Sequence, residues 1–227
     1  MSAADLSTSQ KRPMGIYIHW PYCLSKCPYC DFNSHIASEI DEKLWINAFT
    51  KALGHYAHIL QNREIVSVFF GGGTPSLMPV RVVEAILGEI EKLAGFLPDE
   101  ITLEANPTSV EREKFKAFSN AGITRVSLGV QALKYNDLKF LGRQHSVEDA
   151  LKALEIARES FTRTSFDLIY ARPGQDVVDW RKELKRALEF NPDHLSLYQL
   201  TIEPQTPFYA RYKRGEFTMP SDELAAT

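Results

Sequence analysis

The chain has only three cysteines, and all fall in one stretch of eight residues, Cys23-Leu-Ser-Lys-Cys27-Pro-Tyr-Cys30. Such clustering does not suit a disulfide framework, which spreads an even number of cysteines along a secreted chain. Thiolates this close suit a shared metal centre. The spacing Cys-x3-Cys-x2-Cys departs from the paired Cys-x2-Cys of zinc ribbons, and no second pair is present. Zinc would therefore need a histidine as fourth ligand, His19 or His35. An iron–sulfur cluster is the other option. Three cysteines on a [4Fe–4S] core leave one iron without a protein ligand, and an open iron can take a substrate. Packing the thiols as small buried hydrophobes fits poorly, because Ser25, Lys26 and Pro28 make the segment a polar loop.

Further polar chemistry lies beside apolar runs at Glu104, Asn106, Gln131, Arg143 and Asp167. Together these suit an amino-acid zwitterion joined to a ribose: Arg143 can pair with a carboxylate, Glu104 with an ammonium, and Asp167 with two hydroxyls. Gly71-Gly72-Gly73-Thr74-Pro75 also follows an apolar run, where glycine lets a backbone approach a ligand and offer N–H donors. No Gly-Lys-Ser/Thr makes a phosphate-binding loop there, and the spacing is not that of a dinucleotide fingerprint, which argues against NTP and NAD. Arg172 carries no single reading from the sequence. His55, His58 and His145 are read as surface residues.

The elements that must position these groups alternate in type. Residues 15–20 form a strand that delivers the cysteine loop, residues 40–61 have helical spacing (Leu44, Phe49, Leu53, Ile59), and residues 64–70 form a strand running into the glycines. Helices near 79–93, 109–120, 146–160 and 176–189 then alternate with strands at 101–105, 125–130, 165–170 and 194–200. Six β/α steps imply parallel pairing with right-handed crossovers. A full eight-unit barrel takes about 250 residues. The expectation is an α/β six-stranded parallel partial barrel, three-quarters of a TIM barrel, with a Rossmann sheet as the alternative. Active groups then belong at the C-terminal strand ends, and the polar strand residues in the lumen.

Composition sets the remaining bounds. Hydrophobic residues are 44% and charged residues 24%, as in ordinary globular domains. Lys and Arg number 26 against 29 Asp and Glu, for a net charge of −3, and no basic block suits a nucleic-acid backbone. No apolar run is long enough to span a membrane and the N-terminus lacks a signal peptide's apolar core, so the expected location is cytoplasmic. Residues 1–13 are expected to form a flexible tail and 14–205 the barrel. Residues 206–227 would begin a C-terminal region that continues past Thr227, because Ser221-Asp222-Glu223 opens a helix with only four residues after it.

The cysteine spacing, with Tyr29 before the last cysteine, resembles the signature of the radical S-adenosylmethionine (SAM) superfamily. The strings Tyr17-Ile-His-Trp-Pro-Tyr-Cys23, Gly71-Gly-Gly-Thr-Pro75, Gly129-Val-Gln131 and Asp167-Leu-Ile-Tyr170 are similar to its oxygen-independent coproporphyrinogen III oxidase branch, over about residues 14–220. Within that branch, Leu24-Ser-Lys-Cys-Pro-Tyr-Cys-Asp-Phe-Asn-Ser-His35 is most similar to the heme chaperones. The resemblance implies a radical SAM core whose [4Fe–4S] cluster is held by Cys23, Cys27 and Cys30. SAM would bind the open iron and undergo one-electron cleavage of a carbon–sulfur bond. It also implies SAM contacts at Tyr17, Gly72, Gly73, Thr74, Glu104, Gln131, Arg143 and Asp167, with Tyr29 packed beside the cofactor. No catalytic side chain is implied.

Phe32 stands where the oxidases carry a further cysteine, and the cluster loop lies closer to the start of the chain than theirs. Both departures favour a chaperone that binds heme and delivers it to acceptor proteins, with a reducing protein as electron donor. The alternative is a decarboxylating coproporphyrinogen III oxidase. Ala171-Arg172 replaces the Gly-Leu that precedes Pro-Gly-Gln in similar sequences. The branch's His-Asn heme-handling motif is absent from this sequence, so no heme ligand is assigned.

Overall fold

A computed structural model describes residues 11–37 and 39–227. In chain order the elements are β1 (Arg12–Trp20), β2 (Tyr22–Cys23), β3 (His35–Ile36), α1 (Glu42–His55), α2 (Ala57–Gln61), β4 (Arg63–Gly72) and α3 (Val80–Ala94). Then follow β5 (Glu100–Ala105), α4 (Ser109–Arg112), α5 (Phe115–Asn120), β6 (Arg125–Gln131), α6 (Tyr135–Phe140), α7 (Val147–Ser160) and β7 (Arg163–Tyr170). The chain continues with α8 (Val177–Glu189), β8 (His194–Gln199), α9 (Pro207–Lys213) and α10 (Asp222–Ala225).

Six strands make one sheet, in the order β1-β4-β5-β6-β7-β8, and every pair is parallel. The order never reverses, so successive right-handed crossovers lay their helices on the same face. A Rossmann sheet reverses at its first strand and carries helices on both faces. The sheet here curls into an open partial barrel, as the six-unit count anticipates.

Alternation along the strands divides the two faces. Trp20, Val68, Phe70, Leu103, Val126, Leu128, Phe166 and Leu168 are fully buried, packed in one cluster with Val82, Val83, Ile86 and Ile90 of α3. Burying each such side chain is worth about 1.5–3 kcal/mol. The intervening residues turn polar groups into the lumen. Ser165 lies within hydrogen-bond distance of Ser127 (2.9 Å), and the Ser127 hydroxyl donates to Asp167 Oδ1 (3.3 Å). Capping fixes the helix starts: Asp41 accepts Leu44 N–H at α1, and Ser146 and Asp149 form a capping box on α7.

Several expectations change. The first strand begins at Arg12 rather than residue 15, which shortens the expected tail, whose residues 1–10 lie outside the described residues. Pro13 is accommodated because β1 is an edge strand, where its missing N–H breaks no ladder on the open side. The helical stretch 40–61 is two helices divided at Tyr56, and Leu44 faces solvent at 63% exposure: its spacing is helical, but it lies off the buried stripe. The expected helix 109–120 is likewise two short ones. His145 is not a surface residue; it is buried with its Nε2 3.1 Å from Val130 O. Arg172, unassigned from the sequence, forms a buried ion pair: it meets Glu183 and, at 3.0 Å, Asp137, and donates to Ile169 O (2.7 Å).

Candidate metal centre and ligand cavity

The cysteine loop is anchored from several sides. Trp20 ends β1 fully buried, with the Tyr22 and Trp45 rings 5.3 and 5.0 Å away, so the entry to the loop is fixed on α1. The return is pinned where His35 N–H donates to Pro21 O (2.7 Å), and β2 pairs there with β3. Between them Cys30 N–H closes a turn onto Cys27 O (3.1 Å), and Lys26 Nζ donates to Phe32 O (3.2 Å). Phe208 of α9 donates its N–H to Pro28 O (2.9 Å), and its fully buried ring lies 6.1 Å from that of Tyr29. Truncating Phe208 to alanine is expected to destabilise the chain by about 3–5 kcal/mol in urea unfolding; a change below about 1 kcal/mol would contradict the packing.

Above this loop opens a cavity of about 300 Å³ at the C-terminal strand ends, lined by Cys23, Cys27, Cys30, Tyr29, Gly72, Gly73, Thr74, Glu104, Gln131, Arg143 and Asp167. Of the expected site residues, Tyr17 alone is not in the wall. It is 57% exposed on β1, stacked on Phe69, with its hydroxyl 3.3 Å from His19 Nδ1. It alternates with the buried Ile18 and Trp20, so it shares the lumen face with Phe69 at the rim, and burial, then the Glu104 charge, raises its phenol.

The three thiols are half-buried and free. Among the described residues no three His, Cys, Asp or Glu side chains converge on one ion. Zinc needs its donors about 2.0–2.3 Å from one point. An iron–sulfur cluster instead takes each thiolate on a separate iron, and three soft donors around one cavity fit it. His19 is also turned away, its Nε2 3.0 Å from Asn33 O. Burial raises the Cys30 thiol above its ordinary range; binding a metal would reverse that by deprotonating it.

Arg143 joins the loop to the barrel. Its Nη1 donates to Cys27 Sγ (3.3 Å) and its Nη2 to Gly129 O (2.9 Å) and Asn106 Oδ1, while Nε is buried without a partner. Burial pushes the Tyr29 phenol far above its usual range, against the pull of Arg143. Gln131, at a register break in β6 with φ +67°, holds its Oε1 buried and unpartnered. Two orphaned polar atoms at one cavity fit a polar ligand that would satisfy them.

The glycines line the cavity and also tie it to the cysteine loop. Gly73 N–H donates to Trp20 O (2.7 Å) and Thr74 N–H to Tyr22 O (2.8 Å). These two donors are spent on the cysteine loop. A Cβ on Gly73 would lie 2.7 Å from Tyr22 O and 3.0 Å from Cys23 Sγ, so glycine is needed for strand tip and loop to meet.

Burial, then the charge of Asp167, pushes the Glu104 carboxyl up to about 7, and burial also raises Asp167. Two acids confined together suit a cationic ligand. Glu111, Ser127 and His145 also line the cavity, and none was assigned to it from the sequence. Glu111 had a signal there, since Thr108-x-x-Glu111 is a capping-box pattern just after a strand.

An open parallel barrel with three thiols and paired acids at its C-terminal mouth defines a class, and a profile of the Radical SAM superfamily matches residues 17–187: the chain belongs to this superfamily. Among curated proteins, the chain is 42% identical over 206 residues to "Heme chaperone HemW" of Haemophilus influenzae, covering 88% of this chain and 54% of that protein. It is 40% identical over 227 residues to "Radical S-adenosyl methionine domain-containing protein 1, mitochondrial" of Danio rerio, covering 99% and 51%. The solved structure of the coproporphyrinogen III oxidase HemN from Escherichia coli superposes with a TM-score of 0.78 at 25% identity, over 97% of this chain and 51% of that one. The chain thus spans about half the length of these relatives.

Proposed function

We propose that the protein is a SAM-dependent heme chaperone of the HemW type, with a [4Fe–4S] cluster held by Cys23, Cys27 and Cys30 and SAM in the adjoining cavity. The observation that carries the site is the convergence of three thiols, two buried acids and the Arg143 guanidinium on one cavity. When bound, the cluster and SAM would supply one-electron carbon–sulfur bond cleavage. The chain's own groups would place the cofactor: Glu104 facing an ammonium, Arg143 Nε and Gln131 Oε1 facing polar groups, and Asp167 facing a ribose, with Gly72, Gly73 and Thr74 shaping the wall. Tyr29 would pack beside it. Tyr17 would contact it from the lumen face at the rim.

Heme and acceptor proteins, together with a reducing electron-donor protein, are the partners in this reading. Names of relatives support it, as does Phe32, 59% exposed at the cavity mouth where the oxidase pattern has cysteine. No helix among the described residues is long and apolar enough to cross a membrane. A reducing compartment suits three free thiols, the cytoplasm in this reading, although several animal relatives are named mitochondrial. A barrel running from β1 to about residue 205 and a C-terminal region from 206 are part of the same proposal. The likeness to HemN keeps coproporphyrinogen III oxidation as the second reading. Anaerobically reconstituted protein given SAM, reductant and coproporphyrinogen III should yield no protoporphyrinogen, yet bind heme in a spectroscopic titration; multiple turnover would decide for the oxidase.

Glu104 predicts a pH dependence. An ammonium pairs with the ionised carboxylate, so raising the pH from 6 to 8 through a carboxyl near 7 should tighten SAM about tenfold. Glu104→Gln should bind weakly and flatten the profile in a binding titration; an unchanged slope would assign the dependence elsewhere. Without ligand the folded state holds the proton more tightly than the unfolded one. This contribution therefore lowers stability as pH rises from about 4.5 to about 7.

A further inference from the structure

Glu111 is the third residue of α4, and its carboxylate is almost wholly buried, at 1% exposure. One oxygen accepts the Thr108 hydroxyl (3.1 Å), a side-chain contact beside the start of the helix. The other accepts Asn106 N–H (2.6 Å) and the Ser76 hydroxyl, on the turn after β4. Such a contact needs no burial, and burying a carboxylate is costly unless it is fully hydrogen-bonded. All these partners are donors, which suits the ionised, acceptor-only form.

The contacts continue beyond Asn106. Its Nδ2 donates to Thr74 Oγ1 (3.3 Å), and its Oδ1 accepts Arg143 Nη2, whose Nη1 partner is Cys27 Sγ (3.3 Å). A continuous polar line therefore runs from Glu111 to Thr74 on one wall and to Cys27 on the other.

We propose that Glu111 is a positioning residue for the SAM site, holding Asn106 so that Thr74 and Arg143 stay in register across the cavity. This rests on the SAM reading above and names a side chain that keeps the two halves of that site together. Small displacements of positioning groups have large effects on ligand geometry. Glutamine at position 111 keeps the shape and one acceptor oxygen, so it should leave the fold intact while loosening Asn106.

The test compares wild type, Glu111→Gln and Ser76→Ala, each reconstituted anaerobically as the 227-residue chain. Iron and sulfide are assayed, and SAM is titrated against the electron paramagnetic resonance spectrum of the reduced cluster. Glu111→Gln should keep wild-type iron and sulfide but weaken SAM about tenfold, equivalent to about 1.4 kcal/mol. Ser76→Ala, which removes one donor to Glu111, should weaken it by a smaller factor in the same direction, and decides the matter if Glu111→Gln fails to load. Unchanged SAM affinity in both variants overturns the proposal. So does loss of the cluster itself in both, which would make Glu111 a structural residue only. A wild-type cluster that loads but shows no spectral change with SAM removes the underlying SAM reading, and the proposal with it.

Discussion

Cys27→Ala is expected to leave essentially no [4Fe–4S] cluster after reconstitution, and with it no SAM cleavage. Two thiolates on one short loop leave two irons without protein ligands. The same change deprives Arg143 Nη1 of its sulfur partner within a wall that already holds an unpartnered Nε. The fold should survive, because the side chain is only half-buried and lies outside both apolar clusters. The checks are iron and acid-labile sulfide per chain, alongside the far-ultraviolet circular dichroism spectrum. Wild-type iron and sulfide in this variant would refute the ligand assignment.

Gly73→Val is expected to lose the cluster along with SAM binding. A ligand-facing glycine would lose only SAM. The Cβ of a new side chain meets Tyr22 O at 2.7 Å and Tyr22 C at 2.9 Å, which are backbone atoms, and then Cys23 Sγ at 3.0 Å. Backbone cannot rotate aside as a side-chain tip can. The cysteine loop must therefore shift, breaking the bonds from Gly73 N–H to Trp20 O and from Thr74 N–H to Tyr22 O. Overpacking at such a junction costs about 1–3 kcal/mol or more, so the melting temperature should fall as well. Reduced iron and sulfide content at unchanged expression supports this account, whereas full cluster content with weak SAM binding would restore the ligand-facing role.

The barrel was legible because each strand announces itself by apolar alternation and each crossover by helical spacing, and six repeats leave few topologies. The cluster loop was legible because thiols are rare and their spacing is short. What the sequence hid were properties of direction and distance. Tyr17 shares its strand with Trp20, but the odd spacing puts one on the open lumen and buries the other under the helices. Leu44 has the right spacing and the wrong face. The three glycines announce a close approach without saying to what, and the nearest partner is the chain's own loop. Glu111 and Asn106 are separated in sequence from Ser76 and Arg143 by about 35 residues, so no local pattern couples them. Phe208 reaches Pro28 across almost the whole chain, in a segment whose sequence resembles an ordinary surface helix.

The central claim is that three cysteines hold a cluster with one iron open to SAM. The most direct test is the Mössbauer spectrum of the chain reconstituted with iron-57, recorded before and after SAM is added. The expected result is a [4Fe–4S] spectrum in which a single iron site changes on addition of SAM while the three thiolate-bound sites do not. A cluster whose four irons are all indifferent to SAM, or a chain that takes up zinc and no iron, would contradict it.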